Sequence, residues 1–395
     1  MMCIPALSRC ATRYVLGVAL SLGLAACSTP PVASNNTPLP LAQAIEAAAD
    51  SLALQAQQSS GLLGRLNRRT AVLDPTLDAS SGQQTAATQQ LDRALSERLG
   101  REGGPLEVVP FETAHLARAT LLLTGTLTRA QGNFALNLAL VDVKAGTVLA
   151  QSSAVVRREG VDMNPLPYYR DSPVLVKDKV VDGYVRTSTT PAGQKADAAY
   201  LERIAAATVI NDATTLYNAA RYREALGQYR SALATPAGDQ IRALNGVYIS
   251  AVKLGLTAEA EEAFGRLVAY GIAYNSLGMK FLFNPGSTEF WSDPKVSGAY
   301  GMWLRQIARQ AGATKVCMDI VGHTSATGSE AANDPLSLRR ANFIKQRLNA
   351  ESPEVARRTR TLGMGARQNI VGTGSDDVVD APDRRVEFTI VDCAK

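Results

Sequence analysis

Val321 to Ala341 reads V-G-H-T-S-A-T-G-S-E-A-A-N-D-P-L-S-L-R-R-A. The run that leads into it, V-C-M-D-I-V-G-H from Val316 to His323, has the continuous apolar character of a buried strand. A polar turn follows, and the pattern predicts a helix from Pro335 to Leu348, begun near Asn333 or Asp334. Strand, polar loop and helix start in this order suit a small charged ligand. The free N–H groups at a helix start favour an anion. A guanidinium presents a planar fork that meets a carboxylate in two parallel hydrogen bonds. Arg339, one position before Arg340, points elsewhere by helical geometry and reads as solvent-facing.

Working outward, Met279 to Phe290 reads as a strand followed by a turn, and Pro294 to Ala311 as a helix. Thr361 to Ala366 is a short strand or turn, and Asp383 to Asp392 the last strand. Residues 276–395 thus predict an α/β sandwich with a mixed sheet.

The marks F-L-F-N-P-G-S-T, V-G-H-T-x-x-T-G, N-x-x-L-S-L-x-R-A, G-M-G and D-R-R-V-E-F lie between Met279 and Asp392. Together they resemble the OmpA-like peptidoglycan-binding domain family. The resemblance implies non-covalent binding of the peptide stem of peptidoglycan at its diaminopimelate residue, which carries an ammonium and a carboxylate. The arginine that grips the carboxylate falls on Arg340. The asparagine that fixes the loop and can touch the ligand falls on Asn333, with Thr324 in the same turn and Arg384 of the last-strand motif nearby. The family grips the ammonium with an aspartate directly after G-H-T, and here that position is Ser325. A hydrogen bond to a charged group contributes roughly 1.5–3 kcal/mol, so a neutral serine is expected to weaken binding about ten- to hundredfold. Glu330 and Asp334 in the same turn are candidate substitute acids. His323 is expected to hold the strand–loop junction by hydrogen bonds.

The start of the chain sets the compartment. Arg9 and Arg13 precede an apolar run from Tyr14 to Ala26, which is shorter than the ~20 residues a helical span needs. Residues 1–26 therefore read as a signal peptide. L-A-A-C, Leu24 to Cys27, resembles a bacterial lipobox, which implies lipidation of Cys27 with palmitate-type acyl chains and anchoring in a lipid leaflet. Ser28 after it resembles the outer-membrane sorting default, so the expected place is the outer membrane, facing the periplasm. Residues 27–40, rich in Pro, Asn, Ser and Thr, read as a flexible tether.

Loss of Arg9 and Arg13 with the signal lowers the formal net charge from +5 to +3, which is not the footprint of a nucleic-acid binder. Of five cysteines, Cys3 and Cys10 leave with the signal and Cys27 is lipidated. Cys317 and Cys393 remain in an oxidising space, at the start of one predicted strand and after another. If those strands lie side by side and antiparallel, the two form a disulfide.

Residues 41–160 predict an N-terminal α/β domain. Strands are expected at Thr70–Pro75, Leu106–Phe111, Ala119–Thr128, Phe134–Val143 and Val148–Val156, with an amphipathic helix at Gln83–Leu99 and a hairpin turn at Gly146. This order resembles periplasmic lipoprotein domains of the FlgO, CsgG and LpoB kind. His115 reads as a surface helix residue. Residues 161–200 carry P-L-P-Y-Y-R-D-S-P and T-T-P-A-G and read as a linker with ordered parts. Residues 201–275 are helical and weakly repetitive: Leu216, Ala220, Ala225, Tyr229 recur as Ala251, Gly255, Ala260, Phe264, offset by 35. They resemble a pair of tetratricopeptide repeats. Two repeats are few for a free-standing solenoid, so they are expected to dock on a neighbouring domain. They offer either a groove for an envelope protein or a helical spacer.

The fold class expected is α/β multidomain: an N-terminal α/β domain, a central helical pair and the C-terminal sandwich. With two distant histidines, no metal-spaced cluster and no nucleophile motif, neither an enzyme nor a cofactor is expected. Thr373 to Asp377, T-G-S-D-D, is too short for an EF-hand loop and reads as a polar surface loop. Two functions are left: a lipoprotein tying the outer membrane to the wall, or a periplasmic adaptor of an envelope machine whose wall binding is weakened or lost.

Overall fold

The computed structural model of the protein describes residues 35–59, 68–284, 286–371, 374 and 380–393. Cys27, the signal peptide, most of the expected tether and the Thr373–Asp377 loop lie outside the described residues, apart from the backbone at Gly374.

Chain order is β1 (Asn35–Leu39), α1 (Leu41–Ser59), β2 (Arg69–Leu73), α2 (Ala86–Leu99), β3 (Leu106–Pro110), α3 (Thr113–Leu116), β4 (Leu121–Ala130), β5 (Asn133–Asp142) and β6 (Thr147–Val156). These strands form one sheet ordered β1-β6-β5-β4-β2-β3. The β4-β5-β6 meander is antiparallel, while β2 lies parallel to both β3 and β4. α1 and α2 cover one face through Ala44, Ile45, Leu52, Leu91 and Leu95. Apolar residues at helical spacing on these helices meet alternate residues of the strands, which is why the periodicities were readable. β1 falls within the stretch expected to be tether. It adds parallel to the free edge of β6, pairing Asn35 with Ala154 and Leu39 with Val156. Proline is tolerated on such an edge strand, where one N–H faces away from the ladder.

The stretch read as linker is structured: α4 (Pro167–Asp171), α5 (Lys179–Thr189) and α6 (Ala198–Leu201). Its tyrosines explain this. Tyr168, Tyr169, Tyr184 and Tyr200 are all buried, and Tyr184 donates its hydroxyl to the backbone oxygens of Pro75 (2.9 Å) and Gly125 (2.8 Å). Burial of these aromatic rings offsets part of the ordering cost of a proline-rich segment.

The helices α7 (Ile204–Asn218), α8 (Tyr222–Leu233), α9 (Ile241–Lys253) and α10 (Thr257–Ala273) pack in sequence. A Cβ on Gly246 would stand 2.4 Å from the Tyr229 ring, so a small residue on α9 makes room for an aromatic on α8. These helices share one apolar core with the C-terminal domain: Phe264 of α10 stacks on Trp303, centroids 5.6 Å apart. Such a pair contributes about 0.5–1.5 kcal/mol beyond its buried area.

The C-terminal elements are β7 (Leu277–Met279), α11 (Pro294–Ser297), α12 (Tyr300–Thr314), β8 (Cys317–Gly322), α13 (Glu330–Glu351), α14 (Pro353–Arg357), β9 (Thr359–Gly363) and β10 (Val386–Val391). The sheet is mixed and ordered β7-β10-β8-β9, with β8 parallel to β9 and antiparallel to β10. Three expectations change. The strand expected to open Met279–Phe290, before its turn, is instead the three residues of β7 and ends at Met279. The chain then folds back on itself, with Ser287 N–H bonded to Asn284 O and a bridge between Phe283 and Phe290. The single helix expected from Pro294 to Ala311 breaks at Gly298. Helix α13 starts at Glu330 rather than near Asn333, because the Ser329 hydroxyl accepts from Ala332 N–H and caps it. Pro335 sits inside that helix without ending it, at the cost of one backbone hydrogen bond.

Cys317 and Val391 are register partners on β8 and β10, and Cys317 is bonded to Cys393, Cα atoms 5.1 Å apart. Among the described residues no helix is long and apolar enough to cross a membrane.

Candidate functional site

Two glycines set the geometry of the loop after β8. A Cβ on Gly322 would stand 2.1 Å from Ser337 O, and one on Gly363 would stand 2.7 Å from Leu338 N. Only glycine at the ends of β8 and β9 lets α13 approach the sheet this closely. The loop is then sewn to the strand ends: Met364 N–H donates to Gly322 O (3.0 Å), Thr324 N–H to Gly365 O (2.9 Å) and Gly365 N–H to the Ser337 hydroxyl (2.9 Å).

Asn333 and Arg340 are seven residues apart on α13 and both are buried, so they share a face about 10 Å along the axis from each other. The Asn333 side-chain amide donates to Thr327 O (3.0 Å) and Ser325 O (3.5 Å), fixing the turn. Arg340 donates from Nε to Ser287 O (3.1 Å) and from an Nη to Asn284 O (3.3 Å), and its guanidinium lies over the Phe283 ring. Helix α13 therefore holds two loops from one face, Asn333 bonding Ser325 and Thr327 and Arg340 bonding Asn284 and Ser287. Arg384 joins the same end of the sheet, since its neighbour Arg385 accepts from His323 N–H at 3.0 Å. Thr324, Ser325 and Arg384 are buried there. The Thr324 hydroxyl has no hydrogen-bond partner among the described residues.

His323 departs from its expected role. Its ring nitrogens make no hydrogen bond among the described residues, and Nε2 stands 3.6 Å from Glu387. The junction is held by the backbone N–H instead. Burial lowers the imidazole pKa against the pull of Glu387. Burial alone would raise Glu387, but His323 and Arg385 beside it bring its carboxyl down to about 2. Arg385, not singled out from sequence, donates from Nε to Glu387 at 2.6 Å.

The two substitute acids are engaged. Arg367 bonds Asp334 at 2.6 Å and Glu330 at 3.3 Å, so one guanidinium holds both carboxylates and offsets one of their two charges. Asp383 accepts from the backbone of Ile370 (2.6 Å) and Val371 (2.9 Å), which orders the chain beside the site. No residue of F-L-F-N-P-G-S-T has a role that its side-chain chemistry announces. Phe283, Asn284 and Ser287 turn out to seat Arg340. Their signal was the N-P-G-S turn chemistry itself, but a backbone carbonyl has no sequence signature. His115, on α3, bonds Pro110 O at 3.2 Å and pairs with Glu112, as a surface residue does. Among the described residues no cluster of three or more His, Cys, Asp or Glu could hold a metal ion.

No curated protein matches this sequence. The crystal structure of the peptidoglycan-associated lipoprotein from Burkholderia pseudomallei is similar at 19% identity, with a TM-score of 0.25, over 28% of this chain and 88% of that one. The LpoB C-terminal domain from Salmonella enterica is similar at 15% identity, with a TM-score of 0.23, over 30% of this chain and 100% of that one. Residues 282–381 match the OmpA family, and the chain carries an OmpA-family domain there.

Proposed function

We propose that the protein is a cell-envelope lipoprotein that binds the peptide stem of peptidoglycan non-covalently through residues 276–395. The OmpA-family match over residues 282–381 is the observation that carries this reading. The α13 face supports it: Arg340 for the diaminopimelate carboxylate, with Asn333, Thr324, Ser325 and Arg384 around the same loop end. Lipidation of Cys27 holds the chain at the outer membrane, facing the periplasm. The anchor keeps the domain beside the wall, so effective concentration offsets a site softened by Ser325.

A second reading makes the chain an adaptor of an envelope machine that takes a protein partner on residues 201–275. The engagement of Glu330 and Asp334 by Arg367 favours it, because neither acid then replaces the missing aspartate. Co-sedimentation of the soluble chain, residues 28–395, with diaminopimelate-type sacculi separates the two. Wall binding predicts that wild type sediments, Arg340→Ala does not, and Ser325→Asp sediments about ten- to hundredfold more tightly. Failure of both wild type and Ser325→Asp to sediment leaves the adaptor reading.

A further inference from the structure

A cleft of about 410 Å³ opens where α4, α9 and the stretch 280–303 meet, with Leu282 and Pro382 also in its lining. That volume lies in the range of about 300–1,000 Å³ occupied by small-molecule ligands. Lys280 lines it and is buried, with its ammonium donating to Tyr169 O at 2.7 Å. An ammonium has three donors, and that carbonyl is its one hydrogen-bond partner among the described residues.

The walls are aromatic with their polar tips already used. The Trp303 indole N–H donates to the Tyr248 hydroxyl at 2.8 Å, and the Tyr300 hydroxyl accepts from Leu282 N–H at 3.0 Å. Val252 adds a half-exposed apolar side chain at the mouth. Arg170, Lys253 and Lys295 line the cleft with Lys280, against one acid, Asp171. That acid is bonded by Lys253 (2.8 Å), Arg170 (3.3 Å) and the Tyr217 hydroxyl (2.9 Å). Burial draws the Lys280 pKa down to about 7, with Asp171 opposing. An incoming anion relieves that desolvation cost.

We propose that this cleft binds a small monocarboxylate with an apolar or aromatic body, its carboxylate on Lys280 and its body against Trp303, Tyr300 and Val252. The inference does not depend on wall binding.

Calorimetric titration of residues 28–395 with phenylbutyrate and with phenylbutanol, its uncharged counterpart, tests it. The acid is expected to bind saturably and the alcohol at least about tenfold more weakly. Lys280→Met is expected to lose about tenfold for the acid, and Val252→Trp, which fills the mouth and leaves Lys280 in place, to lose as much. The second variant carries the test if the first does not fold. An acetylated tripeptide ending in a free phenylalanine, beside its amide, separates two sources of the carboxylate. Tighter binding of the peptide acid than of phenylbutyrate assigns a chain terminus, and the reverse assigns a free acid. Absence of acid binding, equal binding of acid and alcohol, or wild-type affinity in Val252→Trp overturns the proposal.

Discussion

The Arg340 guanidinium carbon lies 4.9 Å from the centre of the Phe283 ring, with two backbone carbonyls of the same turn accepting from it. Helix and turn are thus locked by the residue that the family resemblance assigns to ligand. Arg340→Ala is expected to abolish sacculus binding and also to cost about 1.5–3 kcal/mol of stability, the worth of hydrogen bonds to a charged group. Arg340→Lys retains the charge but not the planar fork, so it should recover part of the stability and little of the binding. Urea denaturation alongside co-sedimentation checks both. Full wall binding by the lysine variant would rule out the forked contact.

Gly322 touches the backbone of α13 with no room for a methyl group. Gly322→Ala is expected to cost about 1–3 kcal/mol, the usual range for overpacking, or more because the obstacle is backbone. Thermal unfolding measures this. An unchanged midpoint would mean that α13 sits farther from the sheet.

The Cys317–Cys393 bond closes a span of 76 residues and ties the chain end after β10 to the start of β8. Replacing both cysteines by serine should lower stability by about 2–4 kcal/mol. Intact-mass spectra before and after reduction should differ by two hydrogens. No difference on reduction removes the bond.

Three of the buried titratable groups bear on the pH dependence around neutrality. Burial raises Asp74 to about 6, against Arg242 and the Tyr200 hydroxyl bonded to it at 2.5 Å. Asp92, its carboxylate turned onto the buried Thr76, is raised by burial to about 7. From about pH 4 to 7 the folded chain holds more protons at these acids than the unfolded chain, so stability falls as pH rises. Lys280, lowered to about 7, does the reverse: above pH 7 the unfolded chain holds the extra proton and stability climbs toward about pH 10. A minimum near neutrality is expected, with stability rising on either side. Denaturant midpoints across this range measure it. Asp92→Asn should flatten the acid limb alone, and Lys280→Met the alkaline one.

Much of the fold was legible because it rests on local periodicity. The alternating strands 133–142 and 147–156 with Gly146 at their turn, and the leucines of α2, follow from side-chain repeats of two and of 3.6 residues. Misread segments were those whose partner lies far along the chain. Asn35–Leu39 has no strand pattern of its own and becomes one by adding to the edge of β6. The 161–200 stretch looked like linker because its proline and glycine are local signals, while its tyrosines are buried by residues as distant as Asp74 and Arg242.

The sequence alone determined the family of the C-terminal domain, the strand–loop–helix order of its site and the two cysteines able to pair, because motif spacing and residue chemistry are carried by the chain itself. The tertiary structure decided which groups are spoken for. Arg367 takes up Glu330 and Asp334, the turn at 284–287 seats Arg340, and the helices of 204–273 share a core with the C-terminal domain and frame the Lys280 cleft. Each of these joins residues separated by tens of positions, and distance in space, not along the chain, sets the strength of a hydrogen bond, an ion pair or a buried contact.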